Sequence, residues 1–327
     1  MSDDGAALAA RLSQRDVAAA PAVLNLLEST AQGDRASARE LLRELSPAGS
    51  AGEASGHVIG VTGPPGAGKS MLLAALLRHW RAAGRTVAML AVDPSSRRSG
   101  GALLGDRTRI EFDPSDRGVF IRSTAAGPRL GGLSRATRTA AQALAYAFDV
   151  VVVETVGVGQ AETEIADVAD TIAVVVQPGG GDVLQFLKAG IMEIPDVLVV
   201  SKADLGALAM RTAREVGAAV RALGSAVTPV LAVSSLPPDS GVEELIAAFD
   251  SHRDASDVPA RRAAARRAGA LEDFAREHGD RGLRALGGRR AAEHLLAAQD
   301  SGLDTAALVE ALEQRARLGE APAGDAR

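Results

Sequence analysis

The stretch Gly63-Pro64-Pro65-Gly66-Ala67-Gly68-Lys69-Ser70 has the residue types and the spacing to hold a polyphosphate. It completes the pattern G-x-x-x-x-G-K-[ST]. Glycines let successive backbone N–H groups curl around phosphate oxygens without interference from a Cβ. A lysine at the seventh position reaches the β- and γ-phosphates, and the hydroxyl after it can ligate Mg²⁺. The flanks fit this chemistry. An apolar run, His57 to Val61, comes before, and Met71 followed by Leu72-Leu73-Ala74-Ala75-Leu76-Leu77 comes after. That order predicts a strand, a loop and a helix whose N-terminus points at the bound anion. A glycine-rich turn with a chance lysine would not require such flanks.

Four other apolar runs end in polar residues. They are Ala91-Val92-Asp93, Val153-Glu154-Thr155-Val156-Gly157, Val199-Val200-Ser201-Lys202-Ala203-Asp204 and Ala232-Val233-Ser234-Ser235. In open parallel sheets, ligands gather at the carboxyl ends of strands. Ser201-Lys202-Ala203-Asp204 is similar to the N/T-K-x-D guanine signature. A carboxylate presents two acceptors to the N1–H and the exocyclic amine of guanine, and adenine has the wrong polarity at N1. Buried polar groups left unpaired reject the wrong base. Lys202 would lie along the base. Serine at position 201 departs from the usual asparagine and puts one hydrogen bond in question. Ser234-Ser235-Leu236 matches a short loop that closes over the base through its backbone N–H groups. Asp93 and Glu154 are candidate acids for Mg²⁺, which takes oxygen ligands. Glu154-Thr155-Val156-Gly157 looks like a D-x-x-G switch with a longer acid, so the Gly157 N–H would sense the γ-phosphate. The plainer role for either acid is a strand-end cap.

The strands that must present these residues are read at His57–Val61, Thr86–Val92, Val119–Ile121, Val150–Glu154, Thr171–Val176, Val197–Val200 and Val227–Val233. Several are continuously apolar, as expected of buried strands in a mostly parallel sheet. Their alternation with helical stretches predicts a three-layer α/β domain. Residues 1–55 read as an N-terminal helical segment, with Asp34 expected to cap its third helix. Residues 56–255 read as the phosphate-loop domain. Residues 256–327 read as a C-terminal helical arm, interrupted at Gly279 and Gly287-Gly288, with a last helix from Thr305 to Leu318. The sparse apolar positions at both ends need a surface to pack on, either the α/β domain or a second subunit.

The chain has 327 residues, 46% hydrophobic and only 2% aromatic, so its core is built from Ala, Val, Leu and Ile. It has no cysteine, which excludes disulfides, thiolate metal sites and cysteine nucleophiles. A net charge of −5 gives no sign of nucleic-acid binding. No apolar run approaches the ~18 residues of a membrane span, and the acidic start lacks a signal pattern. A cytoplasmic protein is expected. Lys and Arg total 36, yet the only lysines are Lys69, Lys188 and Lys202. Lysine is retained where a compact ammonium differs from a planar guanidinium.

Longer words then carry a family resemblance. Val92-Asp93-Pro94-Ser95-Ser96, Gly100 to Arg109, Glu154 to Gln160, and Gln177 through Ile194 resemble, in order, signatures of the MeaB/ArgK family. These are GTPase chaperones of adenosylcobalamin-dependent methylmalonyl-CoA mutase and related acyl-CoA mutases. The resemblance covers almost the whole chain and implies a P-loop GTPase fold, GTP as substrate and a homodimer formed through the C-terminal arm. It adds Asp106 to Ser70, Asp93 and Glu154 as metal-site residues. It makes Asp182, Gln185 and Lys188 a switch that senses the mutase. Met71 stands where threonine is usual, at the expense of one phosphate hydrogen bond. With Lys69 and Glu154 as the catalytic pair, slow hydrolysis is expected until a partner completes the site, because no arginine finger is evident. Arg107 and Arg109 are candidates for sensing the γ-phosphate or for solvated surface. The rival within this fold is a nickel-insertion GTPase of the UreG/HypB type. Those proteins need Cys/His ligands, and the five histidines here form no close pair. A kinase or a catalytically dead scaffold are the remaining alternatives.

Overall fold

In the computed structural model the described residues are 4–50, 52–93, 110, 112–126, 133–155, 164–179, 195–222 and 228–320. Seven strands make one parallel sheet: β1 (His57–Thr62), β2 (Val87–Asp93), β3 (Val119–Ala125), β4 (Val150–Thr155), β5 (Thr171–Val176), β6 (Val197–Val200) and β7 (Val230–Ala232). Their order across the sheet is β3-β2-β4-β1-β5-β6-β7. The strands end close to where the sequence places them. β3 runs on to Ala125, and β7 is shorter than expected. Ten helices are described: α1 (Gly5–Ser13), α2 (Ala20–Glu28), α3 (Gln32–Leu45), α4 (Lys69–Ala82), α5 (Arg135–Leu144), α6 (Ala207–Ala222), α7 (Val242–Ala255), α8 (Val258–Ala285), α9 (Arg289–Ala297) and α10 (Thr305–Glu320). No described helix is long and apolar enough to cross a membrane.

The continuously apolar strands serve two cores at once, because successive side chains point to opposite faces. Ile59, Val61, Val152 and Val175 pack with Leu72, Leu76 and Trp80 of α4 and with Phe249 of α7. Val58, Val151, Val153 and Val174 pack on the other face with Leu24 of α2, Leu41 of α3 and Leu144 of α5. The arm has a third core of its own, with Leu271 and Phe274 of α8 against Leu296 of α9 and Leu308 and Leu312 of α10.

Two readings of the termini change. Asp34 does not cap α3. The helix starts at Gln32 after Ala31, and Asp34 sits in its first turn, accepting a 2.6 Å hydrogen bond from the Ser29 hydroxyl. α8 is interrupted at Gly279 (φ 60°) as the sequence predicts, whereas α10 runs past the expected end at Leu318 to Glu320.

Arginines fasten the arm to the sheet domain. Arg262 is buried, and its guanidinium donates to both Asp170 oxygens, at 2.8 and 2.6 Å. It also donates to the carbonyls of Ala54 and Gly56, each at 2.6 Å. Arg266 pairs with Glu53 at 2.7 Å, Arg138 of α5 with Asp273 at 3.2 Å, and Arg261 with Asp196 at 2.8 Å. A planar fork with five donors suits this use, and an ammonium would leave acceptors unfilled. Removing one partner of a buried pair strands the other charge. Arg262→Ala should therefore lower stability by about 3–5 kcal/mol, and Arg262→Lys should recover only part of it, read as denaturant midpoints.

His57 opens β1 with its ring buried. Its Nε2 lies 2.8 Å from the Thr171 hydroxyl, which lies 2.8 Å from His252 Nδ1. Burial pushes the His57 pKa down to about 4, against the pull of nearby Asp170. An unfolded histidine titrates near 6.5. Between those values the unfolded chain takes up a proton that the folded one refuses, so stability is complete above pH ~6.5 and falls as pH drops. Asp167, pushed up to about 6 by burial and by Glu272, acts in the opposite sense. The contribution of His57 therefore appears against a variant. Between pH 7.5 and 5, wild type should lose about 2 kcal/mol more than His57→Gln, measured by denaturant unfolding at each pH.

Candidate functional site

β1 ends at Thr62, and the chain turns at Gly63 with φ 145°. A Cβ at Gly63 would lie 2.1 Å from the Val175 carbonyl oxygen of β5, so the loop can lie this close to the next strand only as glycine. Gly68 precedes α4 in the left-handed region, φ 89°. The first N–H groups of α4 lack partners within the helix and face the loop, the arrangement that receives an anion. Lys69 is buried and folds back over the loop, with its Nζ 2.7 Å from the Gly63 carbonyl and 3.2 Å from that of Pro64. Met71 is half-exposed on the first turn of α4.

Parallel pairing of β1 with β4 sets Val61 beside Glu154, and pairing of β2 with β4 sets Ala91 beside it on the other side. Glu154 thus reaches the sheet edge next to the loop. It is buried, and its Oε1 accepts from the Ser70 hydroxyl at 3.4 Å. Behind the pair, the Thr155 hydroxyl donates to that of Thr62 at 2.8 Å and joins the two strand ends. Asp93 ends β2 at the same edge. The side chain of Asp93, and Asp106, Gly157, Asp182, Gln185 and Lys188, lie outside the described residues.

The second loop leaves β6. Ser201 is buried, and its hydroxyl sits 2.6 Å from the Ala67 carbonyl of the phosphate loop and 3.1 Å from that of Val176. The serine that departs from the guanine signature thus hydrogen-bonds the phosphate loop directly. Lys202 takes the left-handed conformation, φ 55° and ψ 44°, and its Nζ donates to the Gly66 carbonyl at 3.2 Å. Asp204 stands exposed in the short turn Ala203–Leu205. Its Oδ1 accepts from the Ser234 hydroxyl at 3.2 Å, and Ala203 N–H donates to the Val233 carbonyl at 3.1 Å. Ser234 and Ser240 exchange backbone bonds and close the loop that holds Ser235 and Leu236. Leu236 is half-exposed beside it. Asp239 lies 3.2 Å from His79 Nε2 and 3.4 Å from Arg78, which staples this loop to α4.

The edge therefore gathers a backbone cradle with Lys69, a hydroxyl-carboxylate pair in Ser70 and Glu154, and an exposed carboxylate at Asp204. Two contributors have no role in the sequence reading of the site. Asp239 is one, because nothing local links it to His79. Gln177 is the other. It opens the Gln177–Ile194 word and is the first polar residue after the apolar run of β5, and it accepts from Lys202 Nζ at 2.7 Å.

Comparison with known proteins agrees with this geometry. A family model described as methylmalonyl Co-A mutase-associated GTPase MeaB matches residues 20–281. A protein of Caulobacter vibrioides named as a GTPase is 42% identical over 262 residues, covering 78% of this chain and 79% of its own length. One of Pyrococcus abyssi, also named as a GTPase, is 46% identical over 195 residues, which span 59% of this chain and 58% of the relative. A crystal structure described as an LAO/AO transport system kinase superposes with a TM-score of 0.64 at 26% identity, covering 96% of this chain and 98% of its own. The matched stretch holds the phosphate loop, Glu154 and Asp204 together, and the chain belongs to the MeaB family of methylmalonyl-CoA mutase-associated GTPases.

Proposed function

We propose that this chain binds GTP with Mg²⁺, hydrolyses it to GDP and phosphate, and couples that cycle to cofactor loading and protection of an adenosylcobalamin-dependent acyl-CoA mutase of the methylmalonyl-CoA type. The observation that carries the reading is the union of the two loops. The residue before Lys202 is bonded to the phosphate loop, so a base held by Asp204 belongs to the same ligand as phosphates held at Gly63 to Met71.

Backbone N–H groups of Gly63, Gly66, Ala67 and Gly68 would cradle the β-phosphate, and Pro64 and Pro65, which have no N–H to donate, would shape the turn. Lys69 would leave the loop carbonyls for the β/γ oxygens and stabilise the charge that develops as the terminal P–O bond breaks. Asp204 would take both guanine donors, with Lys202 along the base and Ser234, Ser235 and Leu236 closing over it. The residues present fit Mg²⁺. The Ser70 and Glu154 oxygens are 3.4 Å apart, and neighbouring ligands of an octahedral site with ~2.1 Å bonds lie about 3 Å apart. Ser70, Glu154, Asp93 and Asp106 would hold it, and it would neutralise phosphate charge. Gly157 would report the γ-phosphate. Asp182, Gln185 and Lys188 would face the mutase.

In this reading residues 56–255 are the GTPase domain, 1–55 a helical segment beside it, and 256–327 an arm that dimerises two copies in the cytoplasm. The nickel-insertion alternative finds no support in the histidines. His57 and His252 share the Thr171 hydroxyl, His252 also pairs with Asp196, and His79 and His278 are engaged elsewhere by Asp239 and Glu313.

The direct test is GTP and ATP hydrolysis by the purified chain, with and without methylmalonyl-CoA mutase. Turnover of GTP alone, rising when the mutase is added, is expected. ATP turnover without GTP turnover would overturn the base assignment. For the base itself, Asp204→Asn should weaken GTP binding at least tenfold and admit xanthosine triphosphate, whose C2 carbonyl accepts from the new amide. Unchanged GTP affinity in that variant would remove Asp204 from the site.

A further inference from the structure

We propose that Gln177 is a positioning residue for guanine nucleotides, acting through Lys202; the assignment rests on the GTP reading above. β5 lies between β1, which feeds the phosphate loop, and β6, which feeds the base loop. Its last residues touch both. The Val175 carbonyl limits Gly63, and the Val176 carbonyl accepts from Ser201 N–H at 2.9 Å. Gln177 is the next residue, and its side chain lies in the gap where the two loops meet.

There, Lys202 Nζ donates to Gln177 Oε1 at 2.7 Å and to the Gly66 carbonyl at 3.2 Å. An ammonium has donors only, so the amide must face it with its oxygen. The lysine starts from a left-handed backbone that a residue with a Cβ rarely adopts. From there a flexible four-carbon stem could lead the charge anywhere on this exposed edge. Two acceptors, one on the phosphate loop and one just past the end of β5, hold it across the loops before a ligand arrives. Ordering a lysine in advance removes that loss from the binding step. Gln177 needs no contact with the nucleotide to act in this way.

The experiment uses the full chain with Mg²⁺ and the fluorescent probe mant-GDP, and reads release rates together with KM and kcat for GTP. Gln177→Leu keeps the bulk and removes the acceptor. Gln177→Glu keeps the acceptor. Release should be roughly three- to tenfold faster in Gln177→Leu, with the change in KM for GTP rather than in kcat. Gln177→Glu should return to within about twofold of wild type. In a Lys202→Ala background, Gln177→Leu should have no further effect, because the residue acts through the lysine. Unchanged release in Gln177→Leu, or release in Gln177→Glu as fast as in Gln177→Leu, would overturn the assignment while the GTP reading stands. Wild type that holds mant-ADP and not mant-GDP would overturn the guanine reading itself, and this assignment with it.

Discussion

A short, buried hydrogen bond is the first tie between the two halves of the site. The Ser201 hydroxyl, 2.6 Å from the Ala67 carbonyl, ties the loop after β6 to the loop after β1, although β5 separates the two strands. Everything else at the edge depends on that spacing. Lys202 can bridge to Gly66 only if the loops lie this close, and Asp204 can meet Ser234 only if the turn after Lys202 is held down. The Gly63–Val175 approach supplies the third side of the arrangement, because β5 could not stand so near with a Cβ in the way. Loops are the mobile parts of most folds. Here three strand ends share carbonyls and hydroxyls until the loops behave as an extension of the sheet.

The same logic operates at the opposite end of the strands with charge in place of neutral groups. Arg262 reaches from the arm to Asp170, just before β5, and to the carbonyls of Ala54 and Gly56, just before β1. Asp170 also accepts from Val58 N–H at 2.9 Å. The two central strands are therefore pinned at their starts by the arm and at their ends by the phosphate loop. An arginine-rich composition suits a chain with few aromatics. Planar, multiply donating side chains connect elements that lack large apolar surfaces to share. The arm still has its own small core around Phe274. It is packed internally by leucines and fastened externally by guanidinium groups.

The chemistry at the edge follows from unequal exposure of similar groups. Glu154 is buried beside Ser70, where a carboxylate and a hydroxyl suit a hard cation. Asp204 is exposed, where a carboxylate can take two donors from an incoming ring. Lys69 lies buried over carbonyls of the loop it would leave on binding phosphate, whereas Lys202 lies on the surface, between the base loop and β5. The family match spans residues 20–281 and so contains all of these groups.

The sequence by itself determined most of the local elements and pointed to the candidate groups of the site. The spacing from Gly63 to Ser70 dictates a loop between strand and helix, because only those residue types satisfy the backbone and the anion together. Continuous apolar runs such as Val150–Val153 dictate strands buried on both faces, so the parallel sheet was legible as well. Strand ends named Glu154, Ser201 and Asp204 without any coordinates. Asp34 was misread because its local signal as a cap is strong, and the turn at Ser29 to Ala31 was decided by contacts instead. Only the tertiary structure decided which strand ends are neighbours. Strand order arises from long-range packing, and no window of sequence shows that β5 lies between β1 and β6. That order is why Gln177 meets Lys202, why the Ser201 hydroxyl reaches the Ala67 carbonyl, and why an arginine far along the chain at 262 holds the start of the sheet.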